Sequence, residues 1–194
     1  MLSQIYLFIR KCRSALFQFQ CFLSTLVSYL GAIGNQSIFI DKNCQFKKSI
    51  TLLATDGGFI SIGCNTCIGD NVQLVAHGGK LTIESDVFIG SGSIIVCRDN
   101  IFIGRDTLIA EYVVIRDQDH SVESRPVRSA GFHTSPVHIG RDVWIGCKAS
   151  ILRGASLGDR CVIGAHSLVK SSIPPDTTAV GVPARVVKRS KSDE

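Results

Sequence analysis

From Ile139 to Val169 the apolar residues fall six apart: Ile139, Ile145, Ile151, Leu157, Ile163 and Val169. Four residues after each of the first five stands a small or short β-branched residue, namely Val143, Ala149, Ala155, Cys161 and Ser167. Gly140, Gly146, Gly158 and Gly164 directly follow the aliphatic residue in four of these units. An amphipathic helix repeats at three and four residues and a half-buried strand at two, so a period of six fits neither. It fits a chain that runs straight, turns a corner and repeats, with one aliphatic residue per side pointing inward. Three sides close one coil, and each coil pairs with the last as parallel strands. Upstream, the sets Ile40–Phe46–Leu52, Ile62–Ile68–Leu74, Ile83–Ile89–Ile95 and Ile103–Ile109–Ile115 keep the same spacing. The small position persists as Cys44, Thr66, Val72, Val87, Ser93, Thr107 and Val113. The pattern predicts an all-β chain, a parallel β-helix of about six coils.

The ladder also divides the chain. Residues 1–34 lie before it and read as an amphipathic helix: Ile5, Leu7, Phe8, Leu16, Phe19, Phe22, Leu26 and Leu30 are apolar, and Arg10, Lys11 and Arg13 precede a long uncharged run. That layout mimics a signal anchor, but Gln18, Gln20, Ser24, Thr25 and Ser28 dilute it too much for a bilayer span. A helix that caps the open end of the coil or packs between subunits is the favoured reading, with contact to a membrane face as the alternative. Residues 35–173 carry the coil, and 174–194 a basic tail. Asp-Gly-Gly within Thr55–Gly58 and His-Gly-Gly within His77–Lys80 read as corner loops. One interruption is larger. Between Ile115 and Ile139 the gap is 24 residues where six would do, so the segment 116–138 leaves the coil as a polar loop with His120, His133, Asp117 and Asp119. A rigid column with one long polar loop is expected to carry its chemistry there.

Composition adds exclusions. A net charge of +5 with 19% charged residues is low for a nucleic-acid binder, and a small anionic ligand or membrane face accounts for the basic clusters Arg10–Arg13 and Arg185–Lys191. The eight cysteines form no compact disulfide framework, and Cys44 and Cys161 fall on the inward small position. Cys64 and Cys67 make one C-x-x-C with no second pair, short of the four ligands of structural zinc, and no metal is expected. Reduced thiols in a cytoplasmic protein, peripheral at most to the inner membrane face, are the expectation.

The ladder, Asp-x-Asp-His120, Ile139-Gly-Arg-Asp-Val-Trp-Ile-Gly146, Ile163-Gly-Ala-His-Ser-Leu-Val169, Ile173-Pro-Pro and Gly181-Val-Pro-Ala together resemble the hexapeptide-repeat acyltransferases. Within that family the resemblance is to the maltose, galactoside and polysaccharide O-acetyltransferases. It implies a left-handed parallel β-helix, a homotrimer with active sites between subunits, and acetyl-CoA as donor. Carried over residue by residue, His120 matches the catalytic general base. Asp117 or Asp119 is a nearby candidate to orient it, and Trp144 matches a tryptophan beside donor and acceptor. The backbone N–H of Cys147, in the turn after Gly146, matches the oxyanion donor. Gly164 and Ala165 match the pantetheine groove, and Lys170, Arg185 and Lys188 match contacts to the nucleotide phosphates, which Arg189 could share. His166 stands where the family more often has Gly. Arg98 stands near an acidic acceptor-binding position of the galactoside enzymes, which makes an anionic or bulky acceptor more plausible.

The expected acceptor is a sugar hydroxyl of a surface polysaccharide or its precursor, with N-acetylation of an amino-sugar nucleotide as the alternative. Acetylation of serine is a third option, but serine enzymes usually carry a larger helical N-terminal domain than residues 1–33 supply. Two other classes share the prism. Zinc-dependent carbonic anhydrases bind metal through three histidines, of which His133 and His138 resemble only part. A non-catalytic scaffold would show no thioester turnover.

Overall fold

The computed structural model describes residues 37–189 and Leu23; the N-terminal helix expected over 1–34 otherwise lies outside the described residues. The six-spaced sets become three faces of a prism, each a parallel sheet. The first face stacks Ile38–Ile40, Phe59–Ile62, Lys80–Ile83, Asn100–Ile103, Val137–Ile139 and Ser156–Leu157. The second begins Gln45–Phe46 and Cys67–Ile68 and continues through Phe88–Ile89, Leu108–Ile109, Trp144–Ile145 and Val162–Ile163. The third runs from Thr51–Thr55 and Gln73–His77 through Ile94–Cys97, Val114–Arg116 and Ser150–Ile151 to Leu168–Val169.

Register turns each six-spaced residue into a rung. On the first face Ile40 pairs with Ile62, Ile62 with Ile83, Ile83 with Ile103, Ile103 with Ile139 and Ile139 with Leu157. From the second coil upward these rungs are fully buried, each contributing about 1.5–3 kcal/mol as an upper bound. In the first coil Ile38, Ile40, Ile50 and Leu52 are only partly buried, because among the described residues no coil lies beneath them. The small position fills the corners. Where it is polar, its hydroxyl donates to a corner carbonyl of the next coil: Thr66 to Glu84, Ser93 to Ala110 and Thr107 to Gly140.

Two segments have more structure than their patterning predicts. The loop after Arg116 is an antiparallel arm, in which Gln118–His120 pairs with Phe132–Thr134 around a 3-10 turn at Val127–Ser129. The segment after the sixth coil is no bare tail. Ile173 bridges to Leu157, and Thr177–Gly181 adds to the second face before turning into the antiparallel strand Ala184–Arg189. Among the described residues no helix is long and apolar enough to cross a membrane.

Candidate active site

The arm is anchored at its root. Asp117 is fully buried, and its carboxylate accepts from the Arg98 amide at 2.8 and 3.1 Å and from the Asp99 amide at 2.8 Å. The Cys97 thiol sits against the same carboxylate; burial first, and then Asp117, push its pKa far above the usual thiol range. Asp117 therefore faces into the column, at the corner where the third face meets the first. Asp119, two residues on, points outward and forms an ion pair with Arg153 at 2.5 Å. His120 follows, exposed, with its ring 4.4 Å from that of its strand partner Phe132. The Arg98 guanidinium lies over Phe132, 3.9 Å from the ring centroid. Among the described residues no side chain hydrogen-bonds to the His120 imidazole, and the two neighbouring carboxylates are occupied by the Arg98 and Asp99 amides and by Arg153.

Trp144 is on the second face, 55% exposed. Its outward column continues through Val162 and Thr178 to Lys188. Three strand spacings, roughly 14 Å, separate the Trp144 backbone from that of Lys188. At the adjoining corner the coils close tightly: a Cβ on Gly146 would lie 2.6 Å from the Ala165 nitrogen, so only glycine fits there. The Gly164 amide donates to the Ala179 carbonyl at 2.9 Å, which leaves Gly164 as a site of close approach, a Cβ there falling 2.6 Å from Val180 Cγ1. Among the described residues no acceptor takes the N–H of Cys147 or of Ala165, so two stacked amides remain for a ligand. Lys170, Arg185 and Lys188 are exposed, Arg185 opposite Val180 in the terminal hairpin.

Trp144, Gly146, Cys147, Gly164, Ala165, Arg185 and Lys188 thus share the second face and its corner with the third. Lys170 follows the last strand of the third face. His120 belongs to the opposite corner. A triangular column puts a face and the corner opposite it on different sides, so one protomer does not bring His120 to Trp144.

The bacterial transferase hexapeptide family (six repeats) matches residues 136–171. A probable acetyltransferase of Mycobacterium tuberculosis is 40% identical over 131 residues, covering 66% of this chain, and the chain spans only 44% of that relative's length. The putative lipopolysaccharide biosynthesis O-acetyl transferase WbbJ of Escherichia coli K12 is 34% identical over 158 residues, covering 76% of this chain and 80% of its own. The chain belongs to the hexapeptide-repeat bacterial transferases. Among solved structures, a point mutant of AntD, an N-acyltransferase from Bacillus cereus in complex with dTDP-4-amino-4,6-dideoxyglucose and coenzyme A, aligns with a TM-score of 0.72 at 26% identity, covering 85% of this chain and 89% of that one. The chain shares the fold of that structure, here a stack of coils whose three faces are parallel sheets.

In the transferase the histidines considered for zinc serve apart. His138 stacks on Phe102 on the first face, ring centroids 5.0 Å apart, while His133 on the arm lies 3.4 Å from Glu123. Among the described residues no three His, Cys, Asp or Glu side chains converge. The sequence reading missed Phe132, because a loop read as irregular has no register; paired strands through Asp119 and His133 set the aromatic ring beside His120.

Proposed function

We propose that the transferase moves the acetyl group of acetyl-CoA to a hydroxyl of a saccharide, one built into a surface polysaccharide or its precursor, and that it acts as a homotrimer. The carrying observation is the separation of parts: an exposed imidazole on a rigid arm at one corner, and two free amides beside an exposed indole on the opposite face. Assembly of copies around a common axis sets the arm of one against the groove of the next.

In that setting His120 accepts the proton of the sugar hydroxyl as its oxygen attacks the thioester carbonyl. The Cys147 N–H donates to the carbonyl oxygen as negative charge develops there. Collapse breaks the carbon–sulfur bond, and the proton held on His120 passes to the departing thiolate. Trp144 covers the reacting centre, the Ala165 N–H donates to a carbonyl oxygen of the pantetheine arm, and Lys170, Arg185 and Lys188 meet the phosphates. The free Cys147 and Ala165 amides and these exposed cations suit such a donor.

A second reading, N-acylation of an amino sugar carried on a nucleotide, is favoured by the likeness to AntD, whose bound ligand is of that kind. The two are separated by incubating the protein with acetyl-CoA and either neutral hexosides or an amino-sugar nucleotide, and weighing the products. In the productive arm, His120→Ala is expected to keep the fold and coenzyme A binding while turnover drops about 10²–10⁴-fold, the span of a lost general base. Full activity in that variant overturns the role of His120.

A further inference from the structure

We infer that Arg98 is the residue by which this transferase selects an acidic acceptor: its guanidinium receives a carboxylate or phosphate group of the sugar whose hydroxyl is offered to His120. The inference rests on His120 being the base and adds the chemistry of what it acts on. Three groups stand in a row. The guanidinium lies 3.9 Å from the Phe132 centroid, and the Phe132 ring lies 4.4 Å from the imidazole, so cation and base are one aromatic ring apart. A ligand reaching both need be no larger than a sugar with one charged substituent.

The guanidinium is short of an anion. Arg105, Arg141, Arg153 and Arg160 each hold a carboxylate, whereas no ion pair among the described residues involves Arg98. Its side chain is half-buried, and Nε is fully enclosed without any hydrogen-bond partner. Asp117, the nearby buried carboxylate, accepts from the backbone amides of Arg98 and Asp99 and from no side-chain nitrogen. A partly desolvated cation left this way is destabilising, and stacking on Phe132 offsets only a part. An incoming anion met by the terminal guanidinium nitrogens offsets the charge, Nε itself being enclosed. The same amide bonds fix the corner, so the planar fork is held in place before the ligand arrives, which suits bidentate capture of a carboxylate or phosphate.

The test compares p-nitrophenyl galactoside, p-nitrophenyl glucuronide and galactose 1-phosphate as acceptors, with release of free coenzyme A as the readout. In the wild type an acidic acceptor is expected to exceed the neutral one in kcat/KM by about tenfold, the scale of one charge-assisted contact. The acid that does so, uronate or phosphate, identifies the source of the charge. Arg98→Gln is expected to erase the preference and Arg98→Lys to restore only part of it, because an ammonium keeps the charge and lacks the planar fork, with the change carried by KM. Equal preference in Arg98→Gln overturns the inference. So does an equal loss on all three acceptors with a lower melting temperature, because that marks Arg98 as a prop for Phe132 or a partner of a neighbouring copy. Calorimetric titration of glucuronic acid and of galactose 1-phosphate into wild type and Arg98→Gln gives a readout without turnover. Absence of coenzyme A release with every acceptor counts against the acetyl-transfer reading alone. Arg98 is then judged by binding: loss in Arg98→Gln supports it, and no binding to the wild type, or equal binding to both, overturns it.

Discussion

His166 departs from the glycine more common in the family, and the backbone at that position explains both choices. It closes a corner column of Ser49, Asn71, Gly92, Tyr112, Lys148 and His166, each with φ between 56° and 73°. The next corner repeats the demand at Asn43, Asn65, Asp86, Asp106, Asp142, Arg160 and Asp176. Asn, Asp and Gly enter the left-handed region easily, whereas other side chains crowd the following carbonyl at a cost of about 1–2 kcal/mol. Ser49, Tyr112, Lys148 and His166 depart from that preference in the first column and Arg160 in the second, and of these Lys148 and His166 flank the groove amides. Lys148→Asn is expected to raise stability by up to about 1 kcal/mol. In a chain of this size that is about 2–4 °C in melting temperature, read by thermal unfolding without ligand. An unchanged or lower midpoint would mean that the Lys148 side chain makes contacts worth more than the strain.

At the scale of elements, the arm depends on its buried root. The Asp117 carboxylate satisfies two amides of the coil below, so Asp117→Ala leaves those donors and the Cys97 corner without an acceptor. The expected loss is about 1–3 kcal/mol for each buried donor left bare, with a lower melting temperature and new protease cleavage within residues 121–131. Activity should fall with arm order, unlike in His120→Ala, where the fold stays intact. How far the sequence reading reached follows from the same elements. Inward rungs such as Ile139 and Ile163 obey a period set by one coil geometry, so they are legible one residue at a time. The start of a seventh coil was legible too: Ile173, Thr177 and Ala179 repeat the spacing of four and six, and all three are buried. The proline pair at 174–175 disguised that restart as an exit. The arm had no such period. Its geometry rests on long-range contacts, Asp117 to the amides of the previous coil and Phe132 to Arg98, and these pair residues 18–34 apart in a way no local pattern encodes.

For the whole molecule, the decisive feature is that His120 and the Cys147–Ala165 amides stand at different corners of one column. The exposed apolar positions agree with assembly: Leu108 and Trp144 stand adjacent on the outside of the second face, 51% and 55% exposed. If each site takes His120 from one copy and the Cys147–Ala165 amides from the next, two dead variants should rescue each other. His120→Ala removes the base, and Ala165→Trp fills the groove at an exposed position without touching the inward rungs. Each alone is expected to be inactive. Mixed by unfolding and refolding in equal amounts, random trimers need one good base facing one good groove, which leaves about a quarter of sites intact in a cyclic assembly. Recovery of that order, with each variant alone inactive under the same refolding, places the site between copies. A site contained in one chain predicts no recovery at any mixing ratio, and that result would dissolve the trimeric mechanism while leaving the prism untouched.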